Sequence, residues 1–185
     1  MIHGRYLAQW ISHQLAVGVT HDGGPGSGNF GHTGRLGETG GSYSKAQVTT
    51  AEHTITELPI AHGGWRKNPL YDASIKMIDP NRFSDEGVLH APEKDIPLRE
   101  IVSPQKDIYT DRVLMLIHGD WNQHGADEPR QEYPMVVKDP SSGKYILVDG
   151  NHRAVTALAL GETALHVRVL RRGHTLDSAG VWWYV

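Results

Sequence analysis

Five consecutive residues, Asp149-Gly150-Asn151-His152-Arg153, combine a carboxylate, an amide, an imidazole and a guanidinium in one short stretch. They follow an apolar run, Tyr145-Ile-Leu-Val148. They precede Ala154-Val-Thr-Ala-Leu-Ala-Leu160, whose spacing predicts a short amphipathic helix. A turn at Asp149-Gly150 with a helix beginning at Asn151 puts His152 and Arg153 in the first helical turn. The first amides of a helix have no intrahelical partner and its macrodipole is positive there, so anions collect at that end. With Asn151 as cap and a His-Arg pair beside it, the pattern points to phosphate. Asp149 adds a condition. A carboxylate repels a neighbouring phosphate unless Mg²⁺ bridges the two or the carboxylate takes a proton from an attacking hydroxyl. The combination suggests phosphoryl transfer or nucleotide binding. Gly150, Asn151, His152 and Arg153 would hold phosphate, Asp149 would be metal ligand or base, and His152 a second catalytic group. The same residues also have a structural reading, in which Asp149-Gly150 is a turn, Asn151 a cap and Arg153 the partner of a surface acid. On residue types alone both stand.

The elements that must position this turn are legible on either side of it. Met135-Val-Val-Lys138 and Lys144-Tyr-Ile-Leu-Val148 read as strands joined by the hairpin connection Asp139-Pro-Ser-Ser-Gly143. The helix over 152–160 presents Ala154, Val155 and Leu158 to a core and stops at Gly161. Leu165-His-Val-Arg-Val-Leu170 alternates as a strand, and residues 181–185 read as a last one. Upstream, residues 96–102 predict a strand bent at Pro97, and residues 111–118 a helix started by Thr110 or Asp111. Residues 46–57 fit either a helix or a strand. Turns follow at Asn68-Pro, Asp79-Pro-Asn and Ala91-Pro-Glu, with Trp65, Leu70, Tyr71, Ile75, Met77 and Ile78 expected to pack on the domain. The loop between His118 and Glu132 carries Asp120, Trp121, His124, Asp127, Glu128 and Arg130. It reads as a lid that closes over a ligand and excludes water, or as an ordinary long connection.

Composition narrows the function classes. A chain of 185 residues with 38% hydrophobic content supports one folded core with extensions. The division expected is 1–44 as an amino-terminal helix and glycine-rich segment, then 45–185 as the domain. A formal charge of −3 and a pI near 6.4 argue against non-specific binding to duplex nucleic acid. The absence of cysteine removes disulfides, thiolate metal sites and thiol nucleophiles. No apolar run approaches the roughly 18 residues of a membrane span. Residues 1–19 make a poor signal peptide, so a cytoplasmic protein is expected. Among twelve histidines, His118 and His124 with Asp120 could supply metal ligands, but their spacing matches no common zinc pattern.

Residues 3–17 predict a helix with Tyr6, Leu7, Trp10, Ile11 and Leu15 along one stripe. Nine glycines then fall in the 22 positions of 21–42, too little apolar material to form a core. Gly26-Ser-Gly28-Asn-Phe-Gly31 matches G-x-G-x-x-G literally, yet neither a strand before it nor a helix after it is in evidence, so it is not a dinucleotide fingerprint. The segment reads as a linker or an adhesive tail for a phage or host protein. It is similar to glycine-rich segments of bacteriophage and prophage head proteins.

Residues 96–170 resemble the ParB/sulfiredoxin superfamily, specifically the amino-terminal domain of ParB. The matching stretches are Ile96-Pro-Leu-Arg-Glu-Ile-Val-Ser-Pro104, Asp111-Arg-Val-Leu-Met-Leu-Ile-His-Gly119, Tyr133-Pro-Met-Val-Val-Lys138 and Tyr145 through Arg153. The resemblance implies an α+β fold, a small mixed sheet with short packed helices, preceded here by the glycine-rich extension. It also implies that the 149–153 turn faces nucleotide phosphates. Sulfiredoxins carry a catalytic cysteine before the His-Arg pair. Asn151 stands there, so that chemistry is excluded. ParB continues into DNA-binding and dimerisation domains for which this chain has no matching segment, and DNA clamping is not expected. Relatives with a similar turn include small-molecule kinases that use an early glutamate, for which Glu100 is the counterpart, and proteins described as nucleases. The resulting expectation is a nucleotide-binding protein (ATP or another NTP) acting as a Mg²⁺-dependent phosphotransferase or NTPase. Its acceptor would be a small molecule or a protein, and its setting the bacterial cytoplasm or a virion. A nucleotide-gated binding module without turnover and a Mg²⁺-dependent nuclease are the alternatives.

Overall fold

The computed structural model describes residues 43–79, 83, 87, 88, 90–118 and 133–171. The expectations for 1–42, for the lid residues His124, Asp127, Glu128 and Arg130, and for 172–185 lie outside the described residues.

Ser44 starts the first helix, α1 (Lys45–Glu57), with a capping box. Its hydroxyl accepts from the Gln47 amide at 3.2 Å while the Gln47 side chain accepts from the Ser44 amide at 2.9 Å. That cap resolves the helix-or-strand ambiguity. Thr49, Thr50, Thr54, Ile55 and Thr56 favour a strand by propensity, and the cap together with burial of Val48, Ala51 and Ile55 on one face overrides it.

Three short strands come next in one antiparallel sheet, in the order β1 (Ile60–His62), β2 (Trp65–Lys67), β5 (Asp107–Tyr109). The main sheet is mixed and five-stranded. Its order is β3 (Glu93–Pro97), β8 (Ala164–Leu170), β6 (Met135–Lys138), β7 (Tyr145–Asp149), β4 (Ile101–Val102). β3–β8 and β6–β7 are antiparallel; β8–β6 and β7–β4 are parallel. The expected bent strand over 96–102 is two strands. A 3₁₀ turn at Leu98–Glu100 separates them, so β3 pairs with β8 while β4 crosses to β7 on the opposite edge.

Two further helices, α2 (Thr110–Ile117) and α3 (Asn151–Ala159), join α1 on one face of this sheet. Alternation along the strands sends Val136, Leu147, Leu165 and Val167 toward the helices, where Ile55, Val113, Val155 and Leu158 meet them. Each fully buried aliphatic side chain there contributes roughly 1.5–3 kcal/mol. Met135, Val137, Val148 and Leu170 belong to a second, smaller cluster with Phe83 and Val88. The architecture is α+β with a mixed sheet and three helices among the described residues.

Of the residues expected to pack from 65–78, Leu70 is buried and Trp65, Tyr71, Ile75 and Ile78 are half-buried. Met77 is 73% exposed and contributes nothing to the core. The hairpin is as read. Asp139 accepts from the Ser141 and Ser142 hydroxyls, bonds that hold its carboxyl below the usual range, and Gly143 closes the turn at φ 74°.

A polar clip ties β3 to β8. His166 is buried and places Nδ1 2.9 Å from Asp95 and Nε2 3.4 Å from Glu93, with the Tyr133 ring edge-on to it. Burial pulls the His166 pKa down, but the two carboxylates outweigh it through hydrogen bonds and charge and leave it raised.

Candidate functional site

β7 delivers Asp149 to the end of the sheet, and one residue later α3 begins. The reversal is made by Gly150, in the left-handed region at φ 89°, ψ 22°. A side chain there would be doubly excluded. An added Cβ would lie 2.7 Å from Pro134 Cβ and 2.8 Å from Pro134 Cα, the residue leading into β6. Gly150, and not Asn151, is therefore the N-cap, and α3 has no side-chain cap. Asn151 is the first helical residue. Its Oδ1 accepts from the Ser103 hydroxyl at 2.5 Å, so its side chain is spent on tertiary structure and not on the helix end.

That bond belongs to a buried polar network. Ser103 is fully buried just after β4, and its hydroxyl accepts from Asn68 Nδ2 at 3.0 Å and from the Gln105 amide at 3.0 Å. Asn68 also donates to the Gln105 carbonyl at 2.8 Å and accepts from the Leu70 amide at 2.9 Å. The network fixes the first residue of α3 against the chain leaving β4.

His152 faces α2. Its Nε2 accepts the backbone N–H of Tyr109, the N-cap of α2, at 3.1 Å. A ring nitrogen that accepts an amide carries no proton, so the neutral ring holds its proton on Nδ1. Burial is the main reason the His152 pKa falls to about 4; the Arg112 charge lowers it further and Asp149 works the other way. An imidazolium at this position is thus disfavoured at neutral pH. What the ring offers a ligand is the Nδ1–H donor.

Arg153 is largely buried, with its side chain 14% exposed, and its guanidinium lies 3.7 Å from the Asp149 carboxylate, which is 48% exposed. Burial draws the Arg153 pKa down, Asp149 raises it, and Arg112 lowers it. Arg112, exposed on the first turn of α2, is thus the second cation bearing on this turn, and sequence reading missed it. Thr110, on the same helix start, has a buried hydroxyl without a hydrogen-bond partner. Two helix starts, α2 and α3, converge here, and neither has a side-chain cap.

Gly150, Asn151, His152, Arg153 and Asp149 are brought together as expected from their adjacency. Glu100 is not brought to them. It precedes Ile101, whose partner on β7 is Tyr145, and Asp149 is four residues further along the strand. At about 3.3 Å per residue that separation is roughly 13 Å along β7. Glu100 lies instead beside Arg99, 3.9 Å away. His118 pairs with Glu52 at 2.7 Å. Among the described residues no group of three His, Cys, Asp or Glu side chains is placed to hold a metal ion. A cleft of about 620 Å³ opens elsewhere, between residues 72–79 and the β6–β7 hairpin, with Asp72, Lys76, Asp139 and Lys144 among its walls. None of residues 149–153 lines it, and its mixed charges and lack of a helix end make it the weaker anion site.

No family model, curated protein or solved structure matches the chain. No described helix is long and apolar enough to cross a membrane.

Proposed function

We propose that the chain binds the phosphates of a nucleotide, ATP or another NTP, at the turn 149–153 and acts as a Mg²⁺-dependent phosphotransferase or NTP hydrolase. The observation that carries this reading is the meeting of the α3 start, which has no side-chain cap, with the start of α2, bringing Arg112 and Arg153 around a neutral His152. Amides of the first turn of α3 and the Nδ1–H of His152 supply uncharged donors, while the two guanidinium groups supply counter-charge. The ParB-like reading of 96–170 belongs to the same proposal, as it assigns this turn the same role.

Asp149 fits a ligand-borne Mg²⁺. It is a hard oxygen donor, half-exposed, and held near a guanidinium at a distance longer than a good hydrogen bond. Mg²⁺ keeps several waters and takes one or two carboxylates plus phosphate oxygens, so a single aspartate suffices. When bound, the ion would neutralise charge on the phosphates. Asp149 would orient it or accept the proton of an attacking hydroxyl.

The test is a thermal-shift panel of nucleotides with and without Mg²⁺, followed by ³¹P NMR of the products. Ligand at about 100 times Kd stabilises by roughly 2.7 kcal/mol, or about 5–10 °C in Tm for a chain of this size. Arg112→Ala, on an exposed position, and Arg153→Ala should both reduce the shift. A wild type that no nucleotide stabilises, or variants that shift as far as wild type, would overturn the phosphate site. Binding without phosphorylated product or released phosphate would leave a switch and remove the enzyme.

A further inference from the structure

The small sheet carries three rings in a row beside the proposed phosphate turn. His62 and Trp65 are register partners across β1–β2 and stack with centroids 5.7 Å apart and planes 5° from parallel. Trp65 and Tyr109 are partners across β2–β5, with centroids 5.5 Å apart and planes inclined by 45°. Gly64 provides the bed for the last ring, since a Cβ at that position would come within 2.9 Å of Tyr109 Cε2. The Asp111 carboxylate acts on the Tyr109 hydroxyl and raises its pKa. With Gly64 against it and Trp65 beside it, Tyr109 still leaves 39% of its surface exposed.

Its place in the chain gives that exposure a use. Tyr109 is the residue whose amide donates to His152, so its ring begins one side-chain length from the His152 imidazole. The row of rings ends in an exposed aromatic surface, on the residue whose amide joins α2 to His152. Aromatic faces stack on any nucleobase, because every base has a π-face.

We propose that Tyr109, supported by Trp65 and His62, is the stacking platform for the base of the nucleotide whose phosphates sit on α3. This inference rests on the phosphate reading above and extends it from phosphate to base. Stacking selects for a heterocycle without selecting strongly among bases. The site should therefore take several nucleoside triphosphates in preference to an inorganic chain of the same charge.

Calorimetry on the full chain with ATP, GTP, CTP, UTP and inorganic tripolyphosphate, all with Mg²⁺, tests it. Wild type should bind the best nucleotide about tenfold or more tighter than tripolyphosphate. Tyr109→Leu, which keeps bulk and loses the π-face, should bring that ratio close to one. Tyr109→Phe, which loses only the hydroxyl, should retain it. Equal affinity of wild type for nucleotide and tripolyphosphate would overturn the platform while leaving the phosphate site standing. So would a ratio that survives in Tyr109→Leu. If wild type binds neither, the phosphate reading falls and takes the platform with it.

Discussion

Gly150→Ala tests the geometry on which the whole site depends. Two costs add. The left-handed conformation, φ 89°, costs a residue with a Cβ roughly 1–2 kcal/mol. The new methyl would also sit 2.7 Å from Pro134 Cβ and 2.8 Å from its Cα. The second contact is with backbone and cannot be relieved by rotating a side chain, so β6 or α3 must move; overpacking of this kind costs about 1–3 kcal/mol. The sum is about 2–5 kcal/mol, a large share of the roughly 5–15 kcal/mol that stabilises a domain. Gly161→Ala is the internal control. It has a similar φ of 84°, but an added Cβ meets nothing within 4 Å, so only the backbone cost applies. Urea unfolding followed by tryptophan fluorescence should place the midpoint of Gly150→Ala about 1–2 M below wild type, with Gly161→Ala between them. Equal losses for the two variants would refute the Pro134 clash. A loss at Gly150 below about 1 kcal/mol would refute the whole account of this turn.

Acid should weaken the fold through His152. The unfolded ring titrates near 6.5 and the folded one at about 4, so above 6.5 both are neutral and pH has no effect through this group. Between those values the unfolded chain binds a proton that the folded ring refuses, and stability falls as pH drops, by on the order of 3 kcal/mol at the limit. Urea unfolding at pH 7 and at pH 4.5 should show a smaller drop for His152→Gln than for wild type; identical drops would place the acid sensitivity elsewhere. Ser103→Ala should destabilise by about 1–3 kcal/mol, because it strands the Asn68 amide, the Gln105 N–H and the Asn151 oxygen around a buried site. A melting temperature equal to wild type would show that water or a neighbour replaces the hydroxyl.

The parts of the fold that sequence made legible are those decided locally. Apolar runs flanking Asp139-Pro-Ser-Ser-Gly143 announced the β6–β7 hairpin, and Gly161 marked the end of α3. The capping pair Ser44 and Gln47 was also present to be read, though the threonines of α1 obscured it. What was not legible depends on partners distant in the chain. Asn151 looked like a cap because Asn usually is one; Ser103, 48 residues earlier, claims its side chain instead. Arg112 and Tyr109 reach the site only because α2 packs beside α3, and no local pattern marks either. Glu100 was placed by resemblance in a strand that the 3₁₀ turn after Pro97 breaks, and the pairing of β4 with the start of β7 carries it away from the turn.

The order of the main sheet has a consequence for how the chain comes into being. β8, the last of the described strands to be synthesised, lies between β3 and β6, both made earlier. While residues 164–170 are still to come, a growing chain can pair β6 with β7 and β7 with β4, but β3 has no neighbour and His166 has not yet met Asp95. The sheet therefore closes by insertion of a final strand into a waiting gap. A chain cut before Ala164 would leave β3 and the outer edge of β6 without the strand that joins them.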